Sequence, residues 1–451
     1  MRKDTIAAIA TAMSNSGIGI VRMSGSEALE IAEKVFKGRK LEDHRIHYGY
    51  VVDGDETIDE VLVMVMKGPR SFTGEDTVEI NCHGGVYVVK KVLETVIKYG
   101  ARPAEPGEFT KRAFLNGKMD LSQAEAVIDV IHSKNEYALK SSVSQLKGNV
   151  QKKIKEIREE IIYHTAFIET ALDDPEHISV DGYGGKLRVT VDNLLEELDK
   201  LLKSSDNGRI IKEGIKTVIV GKPNAGKSSL LNVLVGEDRA IVTDIEGTTR
   251  DVLEESIQLQ GISLNIMDTA GIRDTEDVVE KIGVDKAKAH AEEADLIIYV
   301  VDSSRELDEN DYEIMDMIRD KKAVILLNKS DLTTVVTKDM VQSYIEKPIL
   351  TISAKEESGI HELEETLKNM FFHGEISFND EVYITNIRHK TAIKDAYDSL
   401  QKVIISIDND MPEDFYSIDL LDAYESLGSI TGETIGEDLV NEIFSKFCMG
   451  K

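Results

Sequence analysis

The sequence predicts a multidomain protein, α/β plus all-α: an N-terminal α+β domain, a helical domain, and an α/β domain inserted into the helical one. Three observations predict it. A chain of 451 residues is too long for one hydrophobic core, so about two to four domains are expected. The apolar period changes along the chain, from mixed strand and helix spacing to helical near residue 120, to strand–helix alternation from 216, and back to helical after 380. The alternating stretch thus has helical segments on both sides, and domain insertion is tolerated at exposed loops.

Within residues 1–115 the strand-like stretches 19–22, 45–52, 57–66 and 77–81 alternate with helical stretches 26–37 and 86–99. Pro103 and Pro106 mark 102–107 as an irregular connector. From Asp120 to Leu202 the spacing is helical: Leu146, Val150, Ile154, Ile157 and Ile161 recur at steps of four and three on one face. Pro175 and the glycines at 182, 184 and 185 interrupt it. Leu187, Leu194, Leu198 and Leu201 then resume, and 204–208 reads as a linker. Residues 216–372 carry the pattern of a mainly parallel sheet covered by helices. Beyond 380, Ile393, Ala396 and Leu400, then Leu439, Ile443 and Phe447, return to helical spacing. The expected boundaries are 1–117 for the first domain, 214–372 for the inserted one, and 118–212 with 373–451 for the discontinuous helical domain.

Composition narrows the class. An apolar fraction of 41% and a charged fraction of 30% describe an ordinary globular protein. The longest apolar runs, 61–66 and 296–301, have strand length, far from the roughly 18 residues of a membrane-spanning helix. The first residues lack the apolar core of a signal peptide. Cys82 and Cys448 alone offer no disulfide framework, so a reducing, cytoplasmic setting is expected. A net charge of −29 argues against broad electrostatic binding to nucleic acid; RNA contact requires a local basic patch or a partner.

The chemistry is concentrated in the inserted domain. Gly221-Lys222-Pro223-Asn224-Ala225-Gly226-Lys227-Ser228 lies between the apolar run 217–220 and the helix-forming run from Ser229, the strand–loop–helix setting of a phosphate-binding loop. Its backbone N–H groups and the following helix N-terminus suit phosphate oxygens. Lys227 is expected to reach the β/γ-phosphates and the Ser228 hydroxyl to ligate Mg²⁺. Asp268-Thr269-Ala270-Gly271 ends the strand 263–267, where an acid holds the metal's water shell and Gly271 approaches the γ-phosphate. Asn328-Lys329-Ser330-Asp331 ends the buried strand 323–327, and Asp331 accepts both N–H donors of guanine's Watson–Crick edge, which adenine does not supply. Ser353-Ala354-Lys355 ends the next strand and donates to the guanine O6. Each run is weak alone. Four in this order, each at the carboxyl end of a strand, predict a guanine-nucleotide hydrolase.

Asp244-Ile245-Glu246-Gly247-Thr248-Thr249-Arg250-Asp251, just after Thr243, sits where a switch loop belongs, with Thr249 the hydroxyl for Mg²⁺ and γ-phosphate sensing. Ras-like proteins place a water-orienting Gln directly after the Asp-Thr-Ala-Gly run. Here that position is Ile272, which has no hydrogen bond to offer. Asp274, Glu276, Asp277 and Glu280 are the candidate replacements, and Arg250 and Arg273 the candidate arginine fingers.

The Pro223-Asn224-Ala225 variant of the loop, the Gly247-Thr248-Thr249-Arg250-Asp251 switch and the apolar Ile272 make the chain similar to the Era-related bacterial GTPases. The terminal Cys448-Met449-Gly450-Lys451, the inserted α/β domain and the stretches 17–25, 69–85 and 113–126 narrow the resemblance to the tRNA-modification branch of the TrmE-Era-like GTPase family. It covers the whole chain with no broken motif.

That resemblance implies a Ras-like P-loop G domain, an N-terminal tetrahydrofolate-binding and dimerisation domain, and a homodimer. It implies hydrolysis of GTP to GDP with Mg²⁺ and K⁺. With the FAD-dependent protein MnmG, in a heterotetramer, the family adds an aminomethyl or carboxymethylaminomethyl group to C5 of the wobble uridine of certain tRNAs. The one-carbon unit comes from 5-formyl- or methylene-tetrahydrofolate, and tRNA is held largely through the partner. Carried over by resemblance, potassium falls on Asn224, Thr243, Ile245 and Thr248, the catalytic carboxylate on Glu280, and folate on Arg22, Glu79, Lys118 and Lys451. Cys448 is read as a small pocket-lining residue, with a nucleophilic thiol as the alternative. Two other functions stand beside this one. A ribosome-assembly GTPase carries a second G domain or a basic RNA-binding tail, and this chain has neither; a dimeric scaffold that uses GTP only as a regulatory ligand is the other.

Overall fold

The computed structural model describes residues 4–179, 182–239, 255–259, 262–267, 292–372, 383–448 and 450. They form two compact units. One comprises Met1–His132, Ser142–Asp199 and Thr391–Lys451, the other Ser133–Ser141 and Lys200–Lys390.

The first unit is built on a seven-stranded sheet of β1 (Ile6–Ile9), β2 (Ser16–Ser24), β3 (Phe36–Gly38), β4 (Ile46–Asp53), β5 (Glu56–Met66), β6 (Thr77–Gly84) and β7 (Arg102–Pro103), in the order β3-β4-β5-β6-β2-β1-β7. All pairs are antiparallel except β1 with β7. Alternation sends Val21, Met23, Val63, Val65, Val78 and Ile80 to one face, where helix α1 (Ala28–Val35) and helix α2 (Val86–Lys98) cover them with Ile31, Val35, Val89, Val92 and Val96. The expected helix over 26–37 stops at Val35, because Phe36–Gly38 pairs with β4. The expected irregular connector at 102–107 begins with a two-residue strand. Its Pro103 is tolerated because β7 is an edge, where a missing N–H costs no ladder bond.

Helices α3 (Glu108–Leu115), α4 (Leu121–Ile131), α5 (Glu136–Leu146), α6 (Asn149–Asp173) and α7 (Tyr183–Glu213) follow. Asp120 caps α4 through a box with Gln123. Val150, Ile154, Ile157 and Ile161 are buried as predicted, while Leu146 sits on α5, beyond a break at Gly148, and is half-buried. The expected linker at 204–208 is a correction: α7 continues through it to Glu213. The Ser204 and Ser205 hydroxyls donate back to the carbonyls of Leu201 and Leu202, and Ile210 and Ile211 are buried beyond them.

The second unit holds a six-stranded sheet of β8 (Ile215–Val220), β9 (Glu255–Leu259), β10 (Ile262–Ile266), β11 (Leu296–Asp302), β12 (Ala323–Asn328) and β13 (Ile349–Thr351), in the order β13-β12-β11-β8-β10-β9. Every pair is parallel except β9 with β10. Both faces are covered, as near-continuous apolar strands demand. Ile219, Ile298 and Leu326 meet α8 (Lys227–Arg239, interrupted at Gly236) on one face. Val218, Tyr299 and Ile325 meet α9 (Glu309–Met317) and α10 (Lys338–Gln342) on the other. Helix α11 (Ile360–Phe372) packs Leu363 and Leu367 beside α8.

The chain ends in α12 (Ile387–Asp408), α13 (Glu413–Thr431) and α14 (Glu437–Ser445). In α14 Val440 and Phe444 are buried, as is the predicted Phe447 beyond it; the predicted Ile443 is half-buried against the same cluster, and the predicted Leu439 is exposed. Among the described residues no helix is long and apolar enough to cross a membrane.

Candidate functional site

Parallel pairing aligns the carboxyl ends of β8, β12 and β13 along one edge of the second sheet, the edge where open α/β sheets receive ligands. The loop leaving β8 turns through Asn224, at φ 61, and closes with the Ala225 N–H on the Lys222 carbonyl at 3.3 Å. Gly226 stands at φ 99, and a Cβ there would lie 2.1 Å from Asn328 Nδ2, so only glycine fits. Lys227 Nζ donates to the Gly221 and Lys222 carbonyls at 2.7 and 2.8 Å. It is half-buried, and that desolvation holds its ammonium below the usual lysine value. Ser228 and Ser229 follow in the first turn of α8, Ser228 half-buried and Ser229 exposed.

Asn328 is the tie of the site. It is 2% exposed; its Nδ2 donates to the Ala225 carbonyl at 2.8 Å and its Oδ1 accepts from the Ala354 N–H at 3.0 Å. One side chain therefore joins the phosphate loop to the Ser353-Ala354-Lys355 turn. Lys329, at φ 64, sends Nζ to Asp302 Oδ2 at 2.6 Å, and Ser304 satisfies Asp302 Oδ1. Asp331 is exposed, and its Oδ1 accepts from the buried Ser353 hydroxyl at 2.6 Å. That hydrogen bond, with the charges of Lys355 and Lys329, holds the carboxyl below its usual value. Asp331 is thus a fixed, ionised acceptor beside a phosphate loop.

The structure brings together Asn224, Ala225, Gly226, Lys227, Ser228, Ser229, Asn328, Lys329, Asp331, Ser353, Ala354 and Lys355. Thr243, Asp244, Ile245, Glu246, Gly247, Thr248, Thr249, Asp268, Thr269, Ala270, Gly271 and Glu280 lie outside the described residues, as does the whole stretch 268–291. Sequence reasoning missed three acids that pair with the site's lysines: Asp302 with Lys329, and Asp308 and Asp311 with Lys222. The one sequence signal there is the capping-box spacing of Asp308 and Asp311 before α9.

In the first unit, Arg22 and Glu79 are register partners on β2 and β6, and Arg22 Nε donates to Glu79 Oε1 at 2.7 Å. The guanidinium lies 5.9 and 5.8 Å from the Phe72 and Phe109 ring centroids, and its Nη1 donates to the Gly450 carbonyl at 3.2 Å. Lys118 is exposed and donates to the Pro69 carbonyl at 2.8 Å, on the same loop that carries Phe72. Lys451 lies outside the described residues. Cys448 is exposed, and its carbonyl accepts from the Gly107 N–H at 3.3 Å.

Residues 5–118 match the model of the GTP-binding protein TrmE N-terminus, and residues 121–448 match that of the MnmE helical domain. The tRNA modification GTPase MnmE of Lachnoclostridium phytofermentans is 60% identical, with 100% of each chain covered. The proteins of the same name from Acetivibrio thermocellus and Clostridioides difficile are 51% and 49% identical, over 100% and 99% of each chain. The match spans both units from end to end, and the chain belongs to the MnmE (TrmE) family of tRNA-modification GTPases.

Proposed function

We propose that this chain hydrolyses GTP to GDP in the service of tRNA modification. The observation that carries the reading is the Asn328 tie: one buried amide sets a phosphate loop against an ionised Asp331, the acceptor that guanine's N–H edge requires. In the reaction, water attacks the γ-phosphorus, the bond to the β-phosphate oxygen breaks, and GDP and inorganic phosphate leave. Lys227 and the loop's N–H groups offset charge on the phosphates, which is where most catalysis of phosphoryl transfer comes from.

The Ser228 hydroxyl, beside Lys227 in the first turn of α8, is the kind of oxygen donor a hard cation takes. Ser228 and Thr249 are the proposed Mg²⁺ ligands, and the ion when bound neutralises phosphate charge. Asn224 offers an exposed amide oxygen to a monovalent cation, with Thr243, Ile245 and Thr248 completing a K⁺ site that replaces an arginine finger. Glu280 orients the attacking water, in the role that Ile272 cannot fill.

The proposal extends to the whole family activity. The domains are 1–117, 118–212 with 373–451, and 214–372. The first binds a 5-formyl- or methylene-tetrahydrofolate through Arg22, Glu79, Lys118 and Lys451 and pairs two chains. With the FAD-dependent MnmG, the cytoplasmic homodimer modifies C5 of the wobble uridine of certain tRNAs. The cation–aromatic setting of Arg22, its pairing with Glu79 and the presence of Gly450 against it support that reading.

Phosphate release from GTP in potassium and in sodium buffer tests the hydrolytic part. An arginine finger is worth about 10³–10⁵-fold, and a visible fraction of that should vanish in sodium. Glu280→Ala should bind GTP and not turn it over, and Asn224→Ala should lose the potassium response. Equal rates in both salts would remove the cation from the mechanism, and full turnover by Glu280→Ala would remove that carboxylate.

A further inference from the structure

Among the described residues of the second unit, a charged cluster joins Lys222 of the phosphate loop to the start of α9. Lys222 Nζ lies 2.6 Å from Asp311 Oδ2 and 2.7 Å from Asp308 Oδ2. The Asp311 side chain is 3% exposed, and every donor it needs is present. Its Oδ2 also accepts from the Asp308 N–H at 3.1 Å, and its Oδ1 accepts from the Tyr299 hydroxyl at 2.7 Å. Tyr299 is fully buried in the middle of β11. The cluster is therefore anchored in the sheet itself, unlike a surface ion pair that solvent screens.

Lys222 has a second job through its main chain. Its carbonyl accepts both the Ala225 N–H, which closes the loop, and Lys227 Nζ. The residue clamped by its side chain is thus the pivot on which the loop's turn and its phosphate-facing lysine both rest. We propose that Lys222, held by Asp311 and Asp308 and backed by Tyr299, is a positioning residue that fixes the phosphate loop for guanine nucleotides. The inference rests on the nucleotide reading above. Lys222 acts through Lys227 and the loop N–H groups, and its charge is consumed by the two carboxylates.

The test is the affinity of the full chain for GDP and GTP, read with fluorescent analogues, alongside thermal melting. Lys222→Met removes the clamp. With the turn and Lys227 no longer held, GDP and GTP should both weaken by about 10–100-fold, which is about 1.4–2.8 kcal/mol. The preference for GDP over xanthosine diphosphate should stay unchanged, because Asp331 is untouched. Lys222→Arg keeps the cation and should recover most of the affinity. A merely structural ion pair would lower the melting temperature and leave affinity intact well below it. A folded Lys222→Met binding GDP within about twofold of the wild type, a difference of under 0.5 kcal/mol, would overturn the clamp. Should that variant fail to fold, Lys222→Met with Asp311→Asn leaves no lone buried charge, and the same criterion applies to it. A wild-type chain without affinity for guanine nucleotides would remove the nucleotide reading and the clamp together, whereas wild-type affinity with an indifferent Lys222→Met removes the clamp alone.

Discussion

Cys82 and Cys448 show how differently one side chain behaves in two settings. The Cys82 thiol is buried on β6 and donates to the Gly19 carbonyl at 3.4 Å; burial, with the Asp59 charge adding to it, pushes its pKa up to about 11. Cys448 is exposed. Thiolate is the reactive form, so a maleimide at neutral pH should label one thiol per native chain, at Cys448, and two only after unfolding. Peptide mapping of the labelled chain checks this, and native labelling of Cys82 would contradict the burial. At this scale the strand–loop–helix setting of the phosphate loop was legible from the apolar run before it and the helix-forming run after it, and Gly226 stands where a Cβ would meet Asn328. Lys222 was not legible as a clamp. Its partners lie 86 and 89 positions away in sequence, and no spacing rule links a loop lysine to the start of a later helix.

Elements were legible where period and length agreed. Strands β4, β5 and β6 and helix α2 fall within a few residues of the predicted stretches, since alternation and i, i+4 spacing are direct consequences of one-sided burial. Strand β1 was missed because IAAI, buried on both faces, carries no alternation to detect. The linker error in α7 has the opposite cause: serine, aspartate, asparagine and glycine read as a break, yet Leu201 before them and Ile210 and Ile211 after them bury side chains on a continuous helix.

Helix α3 is held to the edge of the first sheet by charge. Arg102 and Arg112 bridge Asp4 and Glu108 at 2.6 to 3.0 Å, and Arg112 also reaches Glu75 at 3.1 Å. The Arg102 hydrogen bond, with Arg112 adding to it, holds the Asp4 carboxyl below its ordinary value of 3.8. A lowered folded value means the stabilisation is complete above the unfolded value and disappears as pH falls through the folded one. The melting temperature should therefore drop as pH falls below the ordinary carboxyl value of 3.8, and by less in Asp4→Asn, which has no carboxylate to protonate. An equal drop in both proteins would show that the Asp4 carboxylate contributes nothing to acid stability.

At the scale of the whole molecule, the chain's end belongs to its beginning. Gly450 is buried, its carbonyl accepts from Arg22, and at φ 94 a Cβ on it would lie 2.3 Å from the Ile9 carbonyl oxygen. Deleting Cys448–Lys451, or the single change Gly450→Ala, should lower affinity for 5-formyltetrahydrofolate while GTP binding stays intact. Equilibrium titration of both ligands checks it, and unchanged folate affinity in the deletion would separate the chain's end from the proposed folate site.

The claim on which the rest depends is that the carboxyl edge of the second sheet selects guanine through Asp331. Asp331→Asn replaces the acceptor by an amide whose N–H suits the C2 carbonyl of xanthine. A site built to hydrogen-bond its ligand rejects the wrong partner by about 10⁴-fold or more. Titrating wild-type and Asp331→Asn chains with GTP and xanthosine triphosphate measures this directly. The wild type should prefer GTP, and the variant should lose it and bind xanthosine triphosphate. If Asp331→Asn keeps its GTP affinity, the base is held elsewhere and the guanine assignment is wrong.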